Sequence, residues 1–177
     1  MLTAALALMA TGLLLYAALH DLAARTVPNW LSVALLIIGL CARLVDHSLL
    51  GGITVCAITF VILFVIWSLG AMGGGDVKLW AASVLLIPPL LQPELAFFLR
   101  VITFGGVLAL IYITLGRLVP RRRPGAAATQ TGRRSGGLAR RALRAEIWRI
   151  GRRAPLPYAC AIAGGAIVTL LPLSLQR

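Results

Sequence analysis

The chain has 177 residues, of which 60% are hydrophobic and only 12% charged, and its formal net charge is +12. A soluble domain is nearer half apolar and about a quarter charged, so this composition excludes an ordinary soluble enzyme and a disordered basic tail. It reads as an integral membrane protein. Twelve of the 17 basic residues fall between Arg117 and Arg153, and outside that window stand only five basic and four acidic side chains. At ~20 residues per membrane helix, the remainder holds at most roughly six or seven spans. The expectation is a single membrane-embedded domain over 1–177. It is an all-α polytopic membrane helix bundle of about six transmembrane helices, with a basic loop (118–153) before the last.

The first apolar run, Leu2 to Leu19, has no Lys or Arg ahead of it and is longer than a signal-peptide core. It reads as a retained helix that stops at His20-Asp21. Arg25-Thr26-Val27-Pro28-Asn29 is a polar turn: Pro28 disfavours helix at Val27, and Asn29 is placed to cap the next helix. Span two runs from about Trp30 to Arg43, and Asp46-His47-Ser48 with Gly51-Gly52 makes the next turn. Span three covers Ile53 to Leu69 and ends in Gly70-Ala71-Met72-Gly73-Gly74-Gly75, too flexible to stay helical at a bilayer edge. Span four starts at Asp76 or Val77 and runs toward Ile87, where Pro88-Pro89 and Pro93 break it. Span five covers roughly Glu94 to Leu118, interrupted by Arg100, and the last span is about Pro157 to Leu173.

Basic loops mark the cytoplasmic side. Six spans put Arg25, Lys78 and the Arg117–Arg153 window on one face, so that both termini lie outside. Within the basic loop, 124–137 is rich in Gly, Ala and Thr. Leu138 to Ile150 has the pattern of an interfacial helix, with Ala139, Leu143, Ile147 and Ile150 on one face. Trp148 is the loop's only aromatic, so a nucleic-acid stacking platform is not supported. The charge reads as topogenic, in contact with anionic lipids. Cys41, Cys56 and Cys160 stand singly in apolar runs, as packing residues and not as a metal or disulfide framework.

Acids are few enough to weigh one by one. Asp46 and Glu94 fall in loops on the outer side, and Glu146 sits among arginines. Asp21 and Asp76 differ. Each lies at a membrane edge on the cytoplasmic side, beside a chain break, and an ionisable group at that depth is a functional candidate. Two carboxylates that meet can share a proton, one activating water while the other protonates a substrate carbonyl. Position at helix ends suggests unequal roles: Asp76, at a helix N-terminus near Lys78, as the base, and Asp21, at a C-terminus, as the acid. Gly73-Gly74-Gly75 would let a substrate backbone approach beside Asp76. Taken singly, each aspartate has a plainer reading as a helix-end group.

Gly73-Gly74-Gly75-Asp76-Val77-Lys78-Leu79 resembles the G-x-G-D-x-K-L signature of type IV prepilin peptidases, membrane-embedded aspartic proteases. In that family the first aspartate stands shortly before R-x-[IV]-P-N, and here Asp21 precedes Arg25-Thr26-Val27-Pro28-Asn29. Pro157-Tyr158-Ala159-Cys160-Ala161-Ile162-Ala163-Gly164-Gly165 is similar to the P-Y-x-x-A-I-x-x-G of the family's last helix. The resemblance implies an aspartic endopeptidase of the bacterial inner membrane that removes the short cytoplasmic leader of prepilin-like proteins. It implies Asp21 and Asp76 as catalytic residues, with no metal or organic cofactor. Gly73, Gly74, Gly75, Lys78, Arg25, Pro28 and Asn29 become supporting candidates, for which helix-end anchoring is an equal reading.

Two features depart from the long, bifunctional members. The chain has neither residues for their methyltransferase segment nor a cysteine pair, so it is similar to the short form serving tight-adherence (Flp) pili. Ala159-Cys160 stands where a glycine is common, which puts close helix packing there in question. Two readings from other classes stay open. An ion- or proton-coupled transporter would place acids at successive depths, whereas a protease needs both on one face; a non-catalytic secretion-system component would need no facing acids. The pilin cleaved and the oligomeric state are not legible.

Overall fold

A computed structural model describes residues 2–118 and 156–175. The expected interfacial helix at 138–150, Glu146 and nearly all of the basic loop lie outside the described residues. Six α-helices and no strand make up the described chain. They are α1 (Leu2–Ala24), α2 (Asn29–Val45), α3 (Leu49–Ser68), α4 (Gly74–Val84), α5 (Leu91–Leu118) and α6 (Tyr158–Leu175). Met1–Gly105 with Pro157–Arg177 forms one compact unit and Gly106–Leu156 another. In the second, the described part is the end of α5 and Leu156. The helix core and the two aspartates belong to the first.

Three helices, Ala5–Ala24, Leu49–Ser68 and Leu91–Arg117, are long and apolar enough to cross a membrane, and α2 and α6 are shorter apolar helices. Their outer faces carry exposed large side chains, such as Ile58, Val61 and Ile62 on α3 and Leu110 and Ile113 on α5. In water such surface would be a liability; toward lipid it costs nothing.

At the centre stands α4; from its Leu79 to Ile87, just beyond its end, every residue is buried. Leu31 and Leu35 of α2, Leu63 of α3, Phe97 of α5 and Ile162 of α6 belong to the same buried cluster. Eleven helical residues rise only about 16 Å, roughly half a bilayer core. Span four is therefore short, as its sequence suggests, but it begins two residues earlier and ends three residues before Ile87. Beyond Val84 the chain tightens into three-residue turns, Leu86 N–H to the Ser83 carbonyl (3.1 Å) and Ile87 N–H to Val84 (3.0 Å). Pro88 disfavours helix at Ile87 and so ends it. Close approach by α2 is possible because Gly39 has no side chain, since a Cβ there would sit 2.5 Å from Leu85 Cβ.

Several boundaries move. α1 continues a turn past His20, because Leu22-Ala23-Ala24 are good helix formers. It ends at Arg25, which takes a left-handed φ of 57° and bonds its N–H to the Asp21 carbonyl at 2.8 Å. Asn29 does not cap α2; Pro28 occupies that position, without a side-chain cap. Gly74 and Gly75 are helical, as the first two residues of α4. Pro93 lies in the first turn of α5, where its missing N–H costs nothing. Arg100 stays helical, its guanidinium donating to Thr169 Oγ1 of α6 at 2.9 Å.

At the bundle end bearing the α2–α3 turn, Arg43 is buried. It donates to Asp46 (3.1 Å) and Ser48 (3.3 Å). Glu94, expected in a loop, is instead buried in the first turn of α5, and Arg43 is near enough for its charge to act there. An apolar run broken by one acid gives no sign that the acid turns inward.

Candidate active site

Asp21 reaches its place through the packing of α1 on α6. Ala10, Leu14 and Ala17 of α1 and Ala159, Ala163 and Ala166 of α6 are essentially inaccessible. Small residues let two helix backbones approach closely in a membrane. The Cys160 thiol donates to the Ala18 carbonyl at 3.4 Å across the same contact. Ala159-Cys160, in doubt for lacking a glycine, therefore packs closely. The contact brings the N-terminus of α6 against the last turn of α1, where the Ala159 N–H donates to Asp21 Oδ2 at 3.2 Å. Asp21 is 5% exposed. A buried carboxylate needs such donors, and the first N–H groups of a helix are free to supply them.

Asp76 sits in the first turn of α4, three residues after Gly73, which holds the N-cap position. Its carboxylate folds back over the turn, so that Oδ2 lies 2.8 Å from where a Cβ on Gly73 would stand. Gly75 abuts Val27, whose Cβ is 3.3 Å from the equivalent point, and Gly74 abuts Trp67 Nε1 at 3.2 Å. All three have negative φ, so here glycine supplies room and not backbone freedom. The turn after Asp21 and the turn before Asp76 meet at Val27 and Gly75, which draws the two acids toward one edge of the bundle. The Asp21 charge is close enough to act on Asp76.

Both carboxylates thus stand at a helix N-terminus, Asp76 at its own and Asp21 at that of α6. The dipole argument that set them apart in the sequence does not distinguish them here. The turn 25–28, whose Val27 packs on Gly75, is steadied where His20 Nδ1 meets the Thr26 carbonyl at 2.7 Å. Pro28, extended at φ −61° and ψ 134°, turns the chain into α2. Lys78 and Asn29 form a separate pair, Nζ to Oδ1 at 3.2 Å. Two residues along a helix is about 200° of rotation, so Lys78 leaves α4 on the side away from Asp76.

The site belongs to a helical membrane protein with two acids gathered at one bundle edge. Residues 8–113 match the family model of the type IV leader peptidases, and the chain belongs to that family. It is a membrane hydrolase, a peptidase of the prepilin type in general. No curated protein and no solved structure matches it significantly.

Sequence reasoning missed the Ala159 N–H, because a backbone donor leaves no mark in residue identity. Pro157 was the available signal: it marks the helix start and therefore where free N–H groups gather. Trp67 and Val27 were missed as well. Each was an apolar residue with no sign of its neighbour.

Proposed function

We propose that this protein is an aspartic endopeptidase in which Asp21 and Asp76 act as a dyad on prepilin-like membrane proteins. The observation that carries the reading is their convergence at one edge of the bundle, where Val27 of the 25–28 turn packs on Gly75. A transporter would want acids at successive depths, whereas here the Asp21 charge is close enough to act on Asp76.

In the reaction, one carboxylate takes a proton from a water molecule, whose oxygen attacks the scissile carbonyl. The other acid, holding the shared proton, gives it to the carbonyl oxygen. As the tetrahedral diol collapses and its C–N bond breaks, one hydroxyl returns a proton to the second aspartate and the leaving amine takes a proton from the acid formed in the first step. The pair needs no metal or organic cofactor for these transfers. Like charges at short range cannot both ionise freely, so the pair titrates as a unit.

The substrate's basic leader would lie in the cytoplasm and be cut just before its apolar helix. This places the chain in the bacterial inner membrane, with both termini outside and the 118–153 loop against anionic lipid. It acts as the short, peptidase-only form similar to those of tight-adherence pili. The test is co-expression with candidate prepilins. Asp21→Asn and Asp76→Asn should each abolish leader removal while the protein stays in the membrane; normal processing in either variant would sink the reading.

A further inference from the structure

On the side of α4 away from Asp76, a cavity of about 580 Å³ lies between α2, α3 and α4. That is within the range of small-molecule sites. Its lining is polar at one end and apolar beyond. Asn29 and the exposed Lys78 mark the polar end, with the ammonium held toward the Asn29 oxygen. One turn further along α2 is Ser32, a lining residue only 6% exposed whose hydroxyl has no hydrogen-bond partner among the described residues. Leu36 and Leu40 continue the wall, opposite Phe60 and Ile53 of α3. From Asn29 to Leu40 the groove runs about 16 Å along the helix. Leu36, Ile53 and Phe60 are each about two-fifths exposed, so the groove is open to the surrounding lipid.

We propose that this groove is a binding site for an anionic glycerophospholipid of the leaflet nearest the two aspartates. Lys78 pairs with the headgroup phosphate. Ser32, about 4.5 Å deeper along α2, has its hydroxyl turned in from the groove; rotation about its Cα–Cβ bond lets it donate to a glycerol ester carbonyl, which lies below the phosphate in such lipids. One acyl chain fills the apolar remainder. The assignment accounts for three things at once: a cation at a membrane edge, a buried hydroxyl without a partner one turn below it, and an apolar channel below both. Each would be costly or idle without an occupant of that layout. It does not depend on the aspartyl chemistry, since the groove and Asp76 lie on different sides of α4.

The test uses the purified full chain in phosphatidylcholine vesicles containing phosphatidylglycerol with a photoreactive acyl chain. Cross-links are mapped by mass spectrometry. Labelling should fall on the segments around Leu36–Leu40 and Ile53–Phe60, and excess unlabelled phosphatidylglycerol should displace it where phosphatidylcholine does not. Lys78→Gln should lower labelling roughly five-fold, the value of one basic residue toward an anionic lipid. Leu36→Trp, which fills the groove, should lower it too, and Val61→Trp on the outer face of α3 should not. The competition arm needs no variant, so a misfolded mutant does not decide the matter. Equal labelling by a phosphatidylcholine probe would mean ordinary boundary lipid and overturn the proposal. So would displacement by an apolar transmembrane peptide but not by phosphatidylglycerol, which would give the groove to a protein segment.

Discussion

Gly73 has no side chain because the Asp76 carboxylate occupies the space one would need. A methyl group there would meet Oδ2 at 2.8 Å, and the flexible acid would yield before the backbone. Gly73→Ala should therefore leave the bundle assembled while swinging the carboxylate off its position. Misplacement of a reacting group by about 1 Å costs on the order of a hundred-fold in rate. The expected outcome is a loss of that order in kcat, at unchanged thermal stability, in a purified cleavage assay with a prepilin substrate. Equal activity in the alanine variant would show that the folded-back carboxylate is not the reacting arrangement. Asp21 rests on different support. One of its donors is the Ala159 backbone N–H, which of all substitutions at 159 only proline would remove directly.

The helices depend on a few points where backbones nearly touch. Gly39 is one: its added Cβ would stand 2.5 Å from the Cβ of Leu85 and 3.1 Å from its carbonyl carbon. Overpacking a tight site costs about 1–3 kcal/mol, so Gly39→Ala should lower the melting temperature in detergent. Gly12 of α1 has nothing within 4 Å of the same point. There the substitution should be stabilising by about 0.4–1 kcal/mol, through the unfolded chain. The two alanine variants, measured side by side by thermal unfolding, must move in opposite directions. The same contrast explains what the sequence discloses. Apolar runs separated by Gly, Pro and Asp locate all six helices, because lipid tolerates only long stretches without charge. Asp21 and Asp76 stand out because acids are so rare in such a chain. Periodicity cannot tell which face of each helix meets protein, since both faces are apolar here. Thus Glu94 reads as a loop residue and the glycine run as too flexible for helix, when three-dimensional crowding makes Gly74 and Gly75 the N-terminus of one.

At the scale of the whole molecule, the question is which side of the membrane each end of the bundle faces. Asp21, Asp76 and the start of α6 lie at one end, and Arg43, Asp46 and Ser48 at the other. The basic window from Arg117 to Arg153 carries 12 of the 17 cationic residues, and such charge stays on the cytoplasmic side. In sequence it comes just before α6, whose first turn donates to Asp21. The chain can be freed of cysteine at low cost. Cys41 is exposed, and the thiols of Cys56 and Cys160 are weak donors to helix carbonyls. In that background, single cysteines at Thr26 and Thr129 should be shielded from an impermeant thiol reagent in intact cells and labelled only after lysis. A cysteine at His47, exposed in the α2–α3 turn, should be labelled from outside. Labelling of Thr26 and Thr129 in intact cells would invert the protein and put both aspartates across the membrane from a cytoplasmic leader. The proposed substrate would then fail even with the dyad intact, whereas failure of the asparagine variants to block processing would remove the dyad and leave the topology standing.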